Sequence, residues 1–155
     1  MKSCVVSIAV IVVGFLSGLG LAHESHPTHM PDPQDVIPFR YYLMENIGSN
    51  AKEMKAKIDA GKLKEAKLNA QVLAIHSTRI EALFPEGSTT DASRAKAEIW
   101  QKWDAFLALA SALSTEADTL AVAAGHGSAS DVQAQMKKVF GTCKSCHDQF
   151  RKPEK

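Results

Sequence analysis

The sequence predicts an all-α protein, an antiparallel four-helix bundle. Three observations point there. Apolar residues recur with alternating steps of three and four along four segments, capping and breaking residues punctuate the segments, and no run of alternating β-branched residues marks a strand. In the first segment the seam is Arg40, Met44, Ile47, Ala51, Met54 and Ile58. In the second it is Leu63, Ala66, Ala70, Leu73, Ser77, Ile80 and Phe84. In the third, Ile99, Phe106, Leu113 and Leu120 recur every seven residues beside Trp103, Ala110, Ala117 and Ala124. In the fourth, Val132, Met136, Val139, Cys143, Cys146 and Phe150 keep the rhythm. Such stripes are the seams of helices that pack nearly parallel to one another.

Each element has its own start and stop. Asp35 is the expected cap of the first helix, with Pro38 tolerated in its first turn. Gly61 marks the first corner, and Pro85-Glu86-Gly87-Ser88 is expected to end the second helix. Asp91 is the expected cap of the third, which at about 30 residues would run roughly 45 Å. Gly125-His126-Gly127 stops it, and Ser130-Asp131-Val132-Gln133 has capping-box spacing for the fourth.

The chain has 155 residues, 45% of them hydrophobic and 23% charged, which suits one globular domain. Eighteen basic against 17 acidic residues leave a net charge of +1, so no basic excess is available for nucleic acid. Met1 to Ala22 reads as a secretory signal peptide: Lys2, an uncharged run from Val5 to Leu21, then Gly20-Leu21-Ala22 with small residues at −3 and −1. An uncleaved anchor is the alternative, although the apolar run is near the lower limit for a bilayer span. Cleavage after Ala22 removes Lys2 and Cys4 and leaves a neutral chain, 23–155, with two cysteines in an oxidising compartment. Residues 23–34, with three Pro and with His23, His26 and His29, read as a mobile arm rather than a metal site. Residues 35–155 form the helical domain.

The chemistry sits at Cys143-Lys144-Ser145-Cys146-His147. C-x-x-C-H is the attachment motif of a c-type haem. Two thiols add across the porphyrin vinyl groups, and the adjacent histidine supplies an axial nitrogen to the iron. On a helix these residues stand at i, i+3 and i+4, on the face that forms the fourth seam. A thioredoxin-like dithiol would need a βαβ setting, and a structural zinc would need four ligands. We therefore expect one haem c per chain, covalent through Cys143 and Cys146, with His147 on the metal. The low aromatic content, 6%, and the seam alanines Ala51, Ala66, Ala70, Ala110, Ala117 and Ala124 then read as room for a porphyrin.

For the other face of the iron, Met44 is the candidate. It is a soft thioether on the first seam, and packing is its competing role. Met54 and Met136 compete with it, whereas His76 and His126 read as partly solvated. Arg40, one turn earlier, needs an anionic partner if buried, and a haem propionate supplies one; otherwise it reaches solvent. Arg151 either lies over the proximal pocket or faces water. Lys52, Lys55, Lys57, Lys62, Lys64 and Lys67 read as a solvated face, or as a guide for a redox partner.

With these residues in place, about residues 35–152 resemble the cytochrome c′ family. The resemblance is carried by Arg40-x-x-x-Met44, Leu83-Phe84-Pro85-x-Gly87-Ser88, Ile99-Trp100 and Gly141-Thr142-Cys143-Lys144-Ser145-Cys146-His147-Asp148-Gln149-Phe150-Arg151. It implies a bacterial periplasmic haem protein, often dimeric, with Arg40 near a propionate. The family's high-spin branch leaves one iron face open and binds nitric oxide or carbon monoxide. Its low-spin branch places a methionine of the first helix on the iron and carries electrons. Leu43-Met44-Glu45-Asn46-x-Gly48 looks more like the low-spin branch.

The expected function is therefore one-electron transfer by a His147/Met44-ligated haem, with a redox protein as partner and no membrane contact after cleavage. The alternative is an open-faced binder of nitric oxide or carbon monoxide. Catalysis is not expected, because Met44, Ile47 and Ala51 offer no acid–base group on the first seam.

Overall fold

The structure, a computed structural model, describes residues 32–153. The expected signal peptide and His23, His26 and His29 lie outside the described residues. The helices are α1 (Ile37–Asp59), α2 (Leu63–Ser77), the single turn α3 (Glu98–Gln101), α4 (Trp103–His126) and α5 (Ala129–Phe150). The four long ones, α1, α2, α4 and α5, make the expected bundle. Among the described residues the only extended pairing is one antiparallel bridge, Ala95 with Arg151.

The helix ends differ in detail from expectation. α1 is preceded by a 3-10 turn, Pro33–Val36, capped by Asp32; Asp35 is the reciprocal partner in that capping box rather than the cap itself. α2 stops at Ser77, and Ile80 and Phe84 continue the apolar pattern from turns and a short 3-10 segment, Glu81–Leu83. The expected 30-residue third helix is broken at Lys102 (φ −127°, ψ 45°), so α4 has 24 residues and Asp91 caps nothing. For α5 the capping box is Ser128 with Asp131, two residues before the expected start. Gly61 turns the first corner at φ +73°, a conformation that glycine adopts without a Cβ clash.

Helix α1 packs on α2, α2 on α4 and α4 on α5, whereas α1 and α5 meet only sparsely. Each closed seam carries a polar tie. Asn69 Nδ2 donates to Asn50 Oδ1 (2.8 Å) between α1 and α2, and Ser114 Oγ to the Ala74 carbonyl (3.2 Å) between α2 and α4. Gln135 Nε2 donates to the Glu116 carbonyl (3.0 Å) between α4 and α5. Among the described residues, no hydrogen bond directly joins α1 to α5.

All six seam alanines are buried, Ala51 on α1 and the other five elsewhere. Ala66, Ala70, Ala110, Ala117 and Ala124 are buried on α2 and α4, the pair with the most extensive interface. Small side chains let two backbones approach closely. The least extensive contact between neighbouring long helices is that between α1 and α5. α4 is long and apolar enough to cross a membrane by length and composition. Its Phe106, Leu113 and Leu120 are buried in the core, as the central helix of a bundle requires.

Leu120 has no exposed surface, so Leu120→Ala should lower unfolding stability by about 2–5 kcal/mol. Leu68→Ala, at a position 65% exposed, should stay within about 0.5 kcal/mol. Chemical denaturation of the two variants checks the assignment of core and surface.

Candidate functional site

The fourth seam places the motif as expected. Val132, Met136, Val139 and Phe150 are buried on α5, and Cys143 and Cys146 pack against the core in part. Neither cysteine is in a disulfide. Burial raises both thiol pKa values. That of Cys146 reaches about 11, and the Cys143 charge acts in the same direction. At neutral pH both are uncharged thiols half-covered by apolar neighbours.

His147 is half-buried one residue further on. Burial lowers its pKa, Arg151 and Arg94 add to the effect, and Asp148 opposes it. The imidazole is therefore held neutral, the form that binds a metal. Its ring borders a surface cavity of about 440 Å³ lined also by Arg94, Lys96, Arg151 and Lys152. Arg151 lines the same cavity and is exposed, so its two expected positions are not separated.

On α1, Leu43 rather than Met44 takes the most buried position of its turn. Met44 is half-buried at the margin and packs on the core with one side. Met54, its expected competitor, is fully enclosed and Met136 is buried. His76 is half-buried, with its Nδ1 enclosed and unpartnered.

Arg40 is buried, only 5% exposed, and its place is specific. Nε donates to the Leu83 carbonyl (2.9 Å), Nη1 to the Ser88 carbonyl (2.9 Å) and Ser93 Oγ (3.4 Å), and Nη2 to Ser88 Oγ (2.5 Å). The guanidinium also lies 3.9 Å from the centroid of the Phe84 ring. Burial lowers its pKa to about 10, so it remains a cation at neutral pH. Its direct partners are thus the loop after α2, and the solvent-facing alternative does not apply. Sequence reasoning singled out Ser88 within a motif but gave it no role, and it passed over Ser93, Arg94 and Lys96. Nothing local marks those three residues, because their partners are distant in sequence.

The residues fit a covalently held porphyrin. Two uncharged thiols one turn apart and a neutral imidazole share a helix face beside the bundle's unclosed seam. Met44 and Phe140 leave apolar surface partly uncovered on α1 and α5. Fold and site together define a c-type haem protein on a four-helix bundle.

Comparison with known proteins gives the family. Residues 35–151 match the family model described as Cytochrome C′. A cytochrome c′ of Pararhodospirillum photometricum is 33% identical over 123 residues, covering 77% of this chain and 98% of that protein. The structure of cytochrome c′ from Shewanella frigidimarina superposes with a TM-score of 0.73 at 27% identity, over 80% of this chain and 99% of that one. A nitric oxide complex of a cytochrome c′ variant from Alcaligenes xylosoxidans superposes at 0.72 and 25% identity, over 81% and 99%. The chain belongs to the cytochrome c′ family, and its cofactor is haem c, bound covalently through Cys143 and Cys146.

Replacing both Cys143 and Cys146 by Ser should yield a chain that loses its haem on acid extraction. Each single substitution should retain haem through one thioether. Intact-mass measurement of the purified protein distinguishes these outcomes.

Proposed function

We propose that this c-type cytochrome binds nitric oxide or carbon monoxide at a haem seated along the α1–α5 seam, with His147 as the axial ligand and Met44 lining the opposite face. The observation that carries this reading is the set of solved relatives: cytochrome c′ variants of Alcaligenes xylosoxidans, matched over 99% of their length, are described with nitric oxide and with carbon monoxide bound. When bound, the haem supplies a one-electron iron couple and an axial position for a diatomic molecule. The chain's own residues prepare that position. Arg151 and Arg94 help keep His147 unprotonated, and Cys143 and Cys146 fix the ring to α5. Half-buried Met44 and the buried Ile47 and Ala51 offer no proton donor on that stretch of α1, which favours binding over turnover. Arg40 has one N–H on Nη2 beyond the four bonds described, and we assign it to a propionate.

Electron transfer with Met44 as sixth ligand, the first expectation from sequence, stands second. The thioether on the α1 margin beside the open seam favours it, since His/Met ligation suits an electron carrier. In either reading the first 22 residues support export to the periplasm, and a redox protein must set the iron's oxidation state. A second copy of the chain is a further expected partner. One solved relative is described as showing ligand-controlled dimer dissociation, and Phe39 and Tyr42 on α1 with Leu68 and Ile75 on α2 present exposed apolar area here.

Absorption spectra of the oxidised and reduced protein, with and without carbon monoxide, test the choice. The gas-binding reading expects a high-spin spectrum that shifts promptly with carbon monoxide. Met44→Ala should then change the association rate by about tenfold, equivalent to about 1.4 kcal/mol in the barrier. A low-spin spectrum with a sulfur-to-iron band that Met44→Ala abolishes would overturn it in favour of the carrier.

A further inference from the structure

We infer that the loop 83–96 is a bracket that sets the spacing between α1 and α5, with Arg40 and Ser93 as its positioning residues. The inference rests on the haem site proposed above. Its starting point is the sparse contact between α1 and α5, which bear the two faces of that site. Packing through α2 and α4 holds them at a distance, and a segment bonded to both would fix that distance directly.

The loop is bonded to both. From α1, Arg40 reaches Leu83, Ser88 and Ser93, and Tyr41 Oη donates to the Ala92 carbonyl (2.8 Å). At the other end, Lys96 N donates to the Phe150 carbonyl (3.0 Å) and Lys152 N to the Arg94 carbonyl (2.7 Å). Lys96 Nζ also donates to the Asp148 and Gln149 carbonyls, both at 3.1 Å. These contacts clasp the last turn of α5, directly after His147.

Ser93 is where the two sides meet. Its hydroxyl accepts from Arg40 Nη1 and from Ala95 N (3.2 Å), and its carbonyl accepts from Lys152 Nζ (2.9 Å). It is 2% exposed, and Ser88 is 0% exposed. The loop between the contacts is stiff. Ser88 Oγ donates to the Pro85 carbonyl (2.7 Å), and Trp100 Nε1 donates to the Phe84 and Pro85 carbonyls (3.1 and 2.9 Å). A buried cation held by neutral oxygens on a rigid loop has few alternative places to go, and leaving those acceptors unpaired is costly. Arg40 lies one turn before Met44, and Phe150–Lys152 directly follow the His147 turn. Movement at one end of the bracket is therefore felt at the other.

The test uses the haem-loaded protein with Ser93→Ala, Arg40→Lys and Ser93→Thr. The readouts are the carbon monoxide association rate, the reduction potential, and hydrogen exchange at the Lys96 and Lys152 amides. In Ser93→Ala and Arg40→Lys, exchange at both amides should rise by roughly tenfold. The association rate should change by at least about threefold and the potential should shift, with haem still attached. Ser93→Thr, which keeps the hydroxyl, should remain close to the parent. If Arg40→Lys does not fold, Ser93→Ala decides alone. Unchanged gas binding and potential in Ser93→Ala would overturn the bracket, as would unchanged amide exchange. If the parent carries haem but takes up no carbon monoxide, the gas-binding reading fails; the potential and the amide exchange still judge the bracket.

Discussion

The constraint on which the structure turns is the incomplete α1–α5 seam. A four-helix bundle closes when each helix packs on both neighbours, and three of the four seams here are closed by side chains and by interhelical hydrogen bonds. The alanines concentrate on α2 and α4 and tighten that pair. The consequence is an asymmetric bundle, with extensive contact at three seams and sparse contact at the fourth. The thiols and imidazole of α5 and the thioether of α1 are on the two helices of that sparse seam. A prosthetic group tied to α5 would supply the apolar contact that α1 lacks, so cofactor and fold depend on each other.

Such a seam needs a spacer, and the loop 83–96 acts as one through Arg40. An arginine buried among carbonyl and hydroxyl oxygens is an expensive way to fix a loop if stability is the only gain. Its value here is geometric. The guanidinium plane, fixed against Phe84, offers several N–H groups in set directions, which a lysine in the same place would not. In the function proposed above, the same group also meets a propionate, so the loop anchor and that contact would share one side chain.

Much of this was legible in the sequence, for identifiable reasons. The seven-residue repeats of α4 and the seams of α1 and α5 survive because burial is periodic and periodicity is local. The haem motif is legible because its three chemical groups are contiguous. The helix ends were less so. Asp32 and Asp35, or Ser128 and Ser130, are equivalent candidates until backbone geometry selects one. Ile80 and Phe84 keep helical spacing although the chain there has left the helix, because 3-10 turns bury residues at nearly the same interval. The Arg40 environment was not legible at all. Its partners Ser88 and Ser93 are 48 and 53 residues away, and short polar residues in a loop carry no signal of a buried role.

The most direct test of the central claim is the position of the iron. Anomalous scattering at the iron edge from crystals of the haem-loaded protein should show one peak per chain, in the α1–α5 seam, within bonding distance of an imidazole nitrogen of His147. A peak elsewhere on the bundle, or an iron bound without His147, would contradict the account.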